Sequence, residues 1–157
     1  MSAPPDLAIR RAGEDDAAAI ARLLHDFNVE YAEPTPEPAQ IAERVGELMA
    51  SGDTTVLLGG AGPDGLALLR FRPSIWSPAL ECYLAELYVV PERRGRGLGR
   101  ALMTAAIEFA RARGADYMDL NTAETDVAAR ALYESLGFNN REGKPDGPIC
   151  FYYERNL

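Results

Sequence analysis

The chain has little of what metal or covalent chemistry requires. Its 157 residues include one histidine and two cysteines. Cys82 and Cys150 lie far apart and form neither a metal nor a redox spacing. Both read as small strand residues in a reducing compartment. His25 falls within a helical pattern and reads as a surface residue, so no metal site is expected. No stretch is apolar for long enough to cross a bilayer. Met1-Ser2-Ala3-Pro4-Pro5-Asp6 lacks the basic and apolar regions of a signal peptide, so a cytoplasmic location is expected. Positive charge is also scarce. There are 16 Lys and Arg against 24 Asp and Glu, a formal net charge of −8. That balance argues against nucleic acid, whose binding requires neutralised phosphates. It favours cationic substrates by long-range attraction, although solubility accounts for it equally well. With 47% hydrophobic residues, the expectation is one domain spanning 1–157 around a single core.

The scarce positive charge is concentrated where glycine is. Pro91-Glu92-Arg93-Arg94-Gly95-Arg96-Gly97-Leu98-Gly99 is followed by Arg100 and an apolar-periodic helix. Glycines at alternate positions leave the backbone uncovered, and the helix that starts among them adds unpaired N–H groups and a positive dipole end. Together these read as a main-chain cradle for phosphate. A nucleoside-triphosphate loop requires Lys and then Ser or Thr after its last glycine, but Arg100-Ala101 follows Gly99. A dinucleotide fingerprint counted from Gly95 and Gly97 requires a third glycine where Arg100 stands.

What remains is Arg94-x-x-Gly97-x-Gly99, and here the chain resembles the GNAT superfamily of acyl-CoA-dependent N-acetyltransferases. In that family the pattern Gln/Arg-x-x-Gly-x-Gly/Ala binds the pyrophosphate of coenzyme A. Upstream, Ala85-Glu86-Leu87-Tyr88-Val89-Val90-Pro91 resembles the family's central strand. Downstream, Leu120-Asn121-Thr122-Ala123 and then Asp126 to Phe138 resemble its next strand and helix, including the ending Leu-Tyr-x-x-x-Gly-Phe. The likeness covers about residues 84 to 138; the first eighty residues match only in their pattern of elements.

The periodicity predicts a short strand at 7–10 and a helix carrying Ile20, Leu23, Leu24, Phe27 and Tyr31. Glu14-Asp15-Asp16 places acid in that helix's first turn. The prolines at 34, 36 and 38 must interrupt it. A second helix carries Ile41, Val45, Leu48 and Met49. Strands follow near 55–58, 66–72 and 81–90, with 59–65 as a hairpin turn. The loop then leads into a helix with Leu98, Leu102, Ala105 and Phe109 in register, closed by Gly114. A strand at 117–121, a helix at 126–136 and a last strand at 148–154 complete the chain. This order gives an α/β domain, and the resemblance implies the GNAT fold: a mixed, mostly antiparallel sheet with a V-shaped splay, flanked by about four helices.

The resemblance also implies chemistry. Acetyl-CoA would enter the splay, with its pantetheine arm along the backbone of Leu87, Tyr88 and Val89. The pyrophosphate would sit on Arg94, Gly95, Arg96, Gly97, Leu98, Gly99 and Arg100. A main-chain N–H near Val89 would polarise the thioester carbonyl. Direct attack by an amine needs no covalent intermediate, so the absence of a Cys-His or Ser-His constellation is no objection. Tyr133 is the expected acid for the leaving thiolate. On the helical pattern it sits off a core stripe of Ala128, Ala131, Leu132 and Leu136, free to face the cofactor. The family often has Asn seven residues before this tyrosine. Here Asp126 serves as helix cap, with Asn121 as a source of an amide donor. Glu86 is the expected base, acting directly or by orienting water. The acceptor region would be 27–40, with Asp26, Glu30, Glu33 and Glu37 as acids, Phe27 and Tyr31 as aromatics and Trp76 as a further wall. The expected activity is acetyl transfer to a primary amine of a small molecule. A CoA-binding sensor without turnover and a protein N-terminal or lysine acetyltransferase are the alternatives. Dimers are frequent in the family, so a homodimer is an expectation.

Overall fold

The computed structural model describes residues 2–157. Along the chain run β1 (Ile9–Arg11), α1 (Ala17–Glu30), α2 (Pro38–Ala50), β2 (Thr54–Gly59), β3 (Gly65–Pro73), β4 (Leu80–Val89), α3 (Leu98–Ala112), β5 (Ala115–Asp119) and α4 (Val127–Ser135). The chain divides into two compact units, one ending at Leu120 and the other running from Asn121 to Leu157.

The first unit holds a five-stranded sheet in the order β1-β2-β3-β4-β5. Neighbours are antiparallel except β4 and β5, which are parallel and joined through α3. A parallel neighbour requires such a crossover, whereas short connections serve β2–β3 and β3–β4; β1 reaches β2 through α1 and α2. The proline run separates α1 from α2 as the sequence predicts. Pro38 occupies the first turn of α2, where its fixed φ suits a helix and its missing N–H costs nothing. Gly114, at φ 97°, closes α3 in the left-handed conformation that glycine adopts without strain.

The middle strands β2 and β3 are apolar on both faces because helices cover both sides, whereas the edge strands β1 and β5 are partly exposed. Ile20 and Leu23 of α1 and Val45 of α2 pack with Val56, Leu58, Leu66, Leu68 and Tyr88. On the other side, Leu98, Leu102, Met103, Ala106 and Ala110 are the buried residues of α3. The buried stripe of α3 therefore keeps Leu98 and Leu102 but replaces Ala105 and Phe109, which are only half-buried. Every residue of β2 is buried, as expected of a strand with helices above and below.

Two features of β4 shape what lies at its end. Leu68 pairs with Glu86 and Leu69 with Leu84, leaving Ala85 as a bulged residue without an opposite. The ladder to β5 runs only from Leu80–Ala115 to Tyr83–Asp119. From Leu84 to Val89, β4 is paired with β3 alone, so its second edge is open. This open stretch is the splay that the family resemblance implies.

In the second unit, α4 has Asp126 at its N-cap position and is followed by Gly137 at φ 93°. The strand expected at 148–154 does not form. The segment makes one isolated bridge, Arg141 with Ile149, and Phe151, Tyr152 and Tyr153 are exposed. Aromatic content favours a strand only where a ladder is available to pair with, and this segment lacks one. Cys150 is accordingly an exposed loop residue, while Cys82 is buried in β4 as expected.

Candidate active site

The loop after β4 is built from its glycines. A short 3-10 turn, Pro91–Arg93, follows the strand. Gly95 then takes φ 73° and Gly97 takes φ 92°, and Gly97 is the N-cap of α3. Side chains rarely adopt this region of backbone space, so glycine is required at both points. A Cβ built on either residue meets nothing within 4 Å, so both α-carbons face open space. Among the described residues, no backbone acceptor takes the N–H groups of Gly95, Arg96, Gly97, Leu98 or Gly99. The run combines an uncovered main chain with the positive end of a helix of 15 residues. It fits a diphosphate, which presents several acceptor oxygens in a row.

The open edge of β4 leads, through that short turn, to this cradle. Val90 donates its N–H to Asp64 on the β3 side at 2.8 Å. Alternation along the strand then turns the N–H and C=O groups of Leu87 and Val89 towards the unpaired side. An extended amide chain can add itself there as a strand would. The side chains do something else. Tyr88 is buried, its ring stacked on Phe27 with centroids 4.8 Å apart and planes 20° from parallel. Burial, reinforced by the Glu30 carboxylate, pushes its phenol up to about 12. Leu98 is buried against the sheet, so only its backbone faces that open space.

The arginines differ from one another. Arg96 is exposed, and Arg93 stands 3.9 Å from Asp64. Arg94 is turned inward: its Nε donates to the Val89 carbonyl at 2.9 Å, and its terminal nitrogens hold both oxygens of Glu30 at 2.8 Å. Its own N–H donates to the Pro91 carbonyl at 3.3 Å, so the uncovered donors begin at Gly95. The Glu30 carboxylate, expected to attract an amine, is already occupied by Arg94 and by the Tyr88 hydroxyl at 3.1 Å. Arg94 holds it below the ordinary range for a glutamate. Nothing in the sequence connects residues 30 and 94; the only signal was an arginine and an acid in segments separately assigned to donor and acceptor.

Glu86 lies on the face that α1 and α2 cover, because it pairs with Leu68 of that apolar layer. Burial alone pushes its carboxyl above the usual glutamate range. That shift moves it towards what a base for an amine requires. Of the aromatics expected around the acceptor, Phe27 packs on Tyr88, and Tyr31 lies 5.3 Å from Phe27 with its ring exposed. Trp76 is 86% exposed at the tip of the β3–β4 hairpin and forms no wall.

In the second unit, Tyr133 corrects the helical-wheel expectation. It is the one buried residue of α4, while Ala128 and Ala131 are exposed. The covered face of α4 runs through Ala129, Arg130, Leu132, Tyr133 and Leu136, with the tyrosine at its centre. Its ring meets Phe138 edge-on at 6.1 Å. Burial, with a smaller push from the Asp126 charge, raises its hydroxyl to about 12. Asp126 occupies the N-cap position, but its side chain caps no N–H; it accepts instead from Thr122 Oγ1 at 3.3 Å. Asn121 is exposed at the start of this unit.

Comparison with known proteins bears on this geometry. A sequence model of the acetyltransferase (GNAT) family matches residues 18–138. The chain is 38% identical over 133 residues to the mycothiol acetyltransferase of Thermobispora bispora, covering 82% of this chain and 39% of that protein's length. It is 28% identical over 159 aligned positions to the thialysine N-epsilon-acetyltransferase of Bos taurus, covering 93% of this chain and 91% of that one. A solved acetyltransferase candidate from Arthrobacter sp. FB24 superposes with a TM-score of 0.89 at 42% identity, covering 100% of both chains.

Proposed function

Because the chain belongs to the GNAT acetyltransferase family, we propose that it transfers an acetyl group from acetyl-CoA to a primary amine of a small molecule, by direct attack in a ternary complex. The observation that carries this reading is the open edge of β4, which ends at Val89, with the short turn Pro91–Arg93 between it and the uncovered N–H groups of Gly95 to Gly99. We take the two compact units as one catalytic domain, since the family match continues past Leu120. The names of the relatives, mycothiol and thialysine acetyltransferases, favour a small acceptor over a protein. No helix among the described residues is long and apolar enough to cross a membrane.

Acetyl-CoA would supply an activated thioester and a stable thiolate leaving group. The outward N–H and C=O of Leu87 hold a pantetheine amide, since the Val89 carbonyl is taken by Arg94. The N–H groups of Gly95, Arg96, Gly97, Leu98 and Gly99, with that of Arg100, hold the pyrophosphate. The outward Val89 N–H is the donor assigned to the carbonyl oxygen as it gains negative charge, where a fixed dipole needs no reorganisation. Glu86 accepts a proton from the acceptor ammonium, directly or through water, because an ammonium has no lone pair for attack. The amine then forms the C–N bond, the C–S bond breaks as CoA leaves as thiolate, and the second nitrogen proton passes to water.

Tyr133 has a more restricted role than full proton donation. A thiolate of ordinary pKa, about 8.5, is a weaker base than a phenolate whose acid has been pushed to about 12. Tyr133 therefore stays protonated and hydrogen-bonds to the departing sulfur. Asn121 is assigned the role of an amide donor, and Asp126 holds the N-cap position of α4.

The experiment is release of free thiol from acetyl-CoA across a panel of amines, with calorimetric titration of acetyl-CoA alongside. Tight binding with turnover on a small-amine class is the expected result. Turnover confined to peptide N-termini or lysines would replace the small acceptor with a protein. Binding without turnover on any amine would make the chain a sensor.

A further inference from the structure

We propose that Glu30 is a positioning residue for the phosphate-binding loop, acting through Arg94, and not part of the acceptor site. The proposal rests on the acetyl-CoA reading above and adds to it a residue outside the family's loop pattern.

Every nitrogen of the Arg94 guanidinium is committed within the protein. Nη1 and Nη2 each lie 2.8 Å from an oxygen of Glu30, and Nε lies 2.9 Å from the Val89 carbonyl. This is the two-pronged pairing for which the planar guanidinium is suited, and it fixes direction as well as distance. An arginine held this way acts as a strut. One end is the residue immediately before Gly95; the other reaches the last residue of α1 and the open edge of β4.

Apart from this strut, the loop's entry is held by the Arg93 and Arg94 N–H groups, which donate to the carbonyls of Val90 (3.0 Å) and Pro91 (3.3 Å), and by the loose contact of Arg93 with Asp64 at 3.9 Å. None of these reaches α1. Gly95 and Gly97 carry no side chains, sit at positive φ and have nothing packed beside their α-carbons. Glycine backbone is the most costly to immobilise, and a cradle of N–H groups binds well only if that cost is met before the ligand arrives. Arg94 fixes the point at which the chain leaves β4 and also fixes the Val89 carbonyl on the edge that leads there.

Glu30 is held in turn. The Tyr88 hydroxyl donates to the same Oε1 at 3.1 Å, the Arg94 guanidinium lies 5.6 Å from the Tyr88 ring centroid, and the stack on Phe27 locks that ring. The side chains of Arg94 and Glu30 are 41% and 27% exposed, so the pair contributes little as an ion pair alone. Its value lies in where it puts the loop. Glu30 also stands at the C-terminal end of α1, where a carboxylate is unfavourable against the helix dipole. Arg94 offsets that disadvantage.

The test is calorimetric titration of acetyl-CoA into the full chain and into Glu30→Ala, Glu30→Gln, Arg94→Ala and the Glu30→Ala/Arg94→Ala double variant, with thermal midpoints recorded for each. Glu30→Ala should weaken binding about tenfold, the equivalent of one step of 1.4 kcal/mol. Glu30→Gln keeps an oxygen for Arg94 and Tyr88 and should fall between the two. The double variant should bind no worse than the weaker single variant, because both remove the same strut. Unchanged or tighter binding by Glu30→Ala would overturn the proposal, since it would mean that Arg94 is better used free. Additive losses in the double variant would overturn it as well. If the unaltered protein fails to bind acetyl-CoA, the functional reading itself falls, an outcome distinct from variants that bind as the parent does.

Discussion

Glu86 stands opposite Leu68 across β4 and β3, one residue past the bulge at Ala85, and so carries a carboxylate into the apolar layer beneath α1. A strand without the bulge would shift every following side chain to the other face. The bulge thus puts the proposed base on the side of the sheet where α1 and α2 lie, while Leu87 and Val89 keep their backbone groups on the open edge.

Burial raises the Glu86 carboxyl, so the folded state binds its proton more tightly than the unfolded chain does. Stability linked to this group is therefore greatest in acid and declines as pH rises from the unfolded glutamate range through the raised folded value. Scanning calorimetry of Glu86→Gln should give a midpoint equal to or above that of the parent at neutral pH, with the gap closing on acidification. A lower midpoint at neutral pH would reveal a partner that stabilises the carboxylate. The same substitution should reduce kcat about 100-fold and remove the acid limb of the kcat/KM profile.

Tyr133→Phe should lower kcat by about 10- to 100-fold while leaving acetyl-CoA affinity within severalfold. The phenol titrates only near 12, so an alkaline limb seen at lower pH belongs to another group and should persist in the variant. Undiminished turnover would leave Tyr133 as a packing residue against Phe138.

Two glycines separate a binding effect from a folding effect. A Cβ at Gly97 meets open space, so Gly97→Ala pays only for its positive φ, about 1–2 kcal/mol. Its loss in acetyl-CoA affinity should exceed its loss in stability, because the methyl group enters the open space meant for phosphate. A Cβ at Gly65 would lie 2.7 Å from the Tyr88 carbonyl oxygen, a rigid backbone atom. Gly65→Ala should therefore unfold at a markedly lower temperature. Calorimetric affinity beside thermal midpoints decides both; equal stability losses at the two positions would contradict the packing described.

The sequence was most legible where structure is local. The proline run at 34–38, the glycine that closes α3 and the alternate glycines of the loop each act within a few residues, and all appear where the pattern placed them. It was least legible where an element's fate depends on a distant partner. Residues 148–154 have a strand's composition but no ladder. Tyr133 looked off-stripe because a helical wheel counts apolar residues, whereas a tyrosine buries a large ring however the smaller alanines fall.

The sequence alone determined that a glycine-rich loop with uncovered N–H groups follows a strand and opens a helix, because positive φ and unpaired helix-end donors are properties of a short segment. Only the tertiary structure decided that β5 stops opposite Tyr83 and leaves the β4 edge open. It alone placed Glu86 in an apolar layer, and it alone brought Glu30 to Arg94 across 64 positions of chain. Each of these depends on which surfaces are covered and which polar groups remain to be paired, and those are settled only when distant segments pack together.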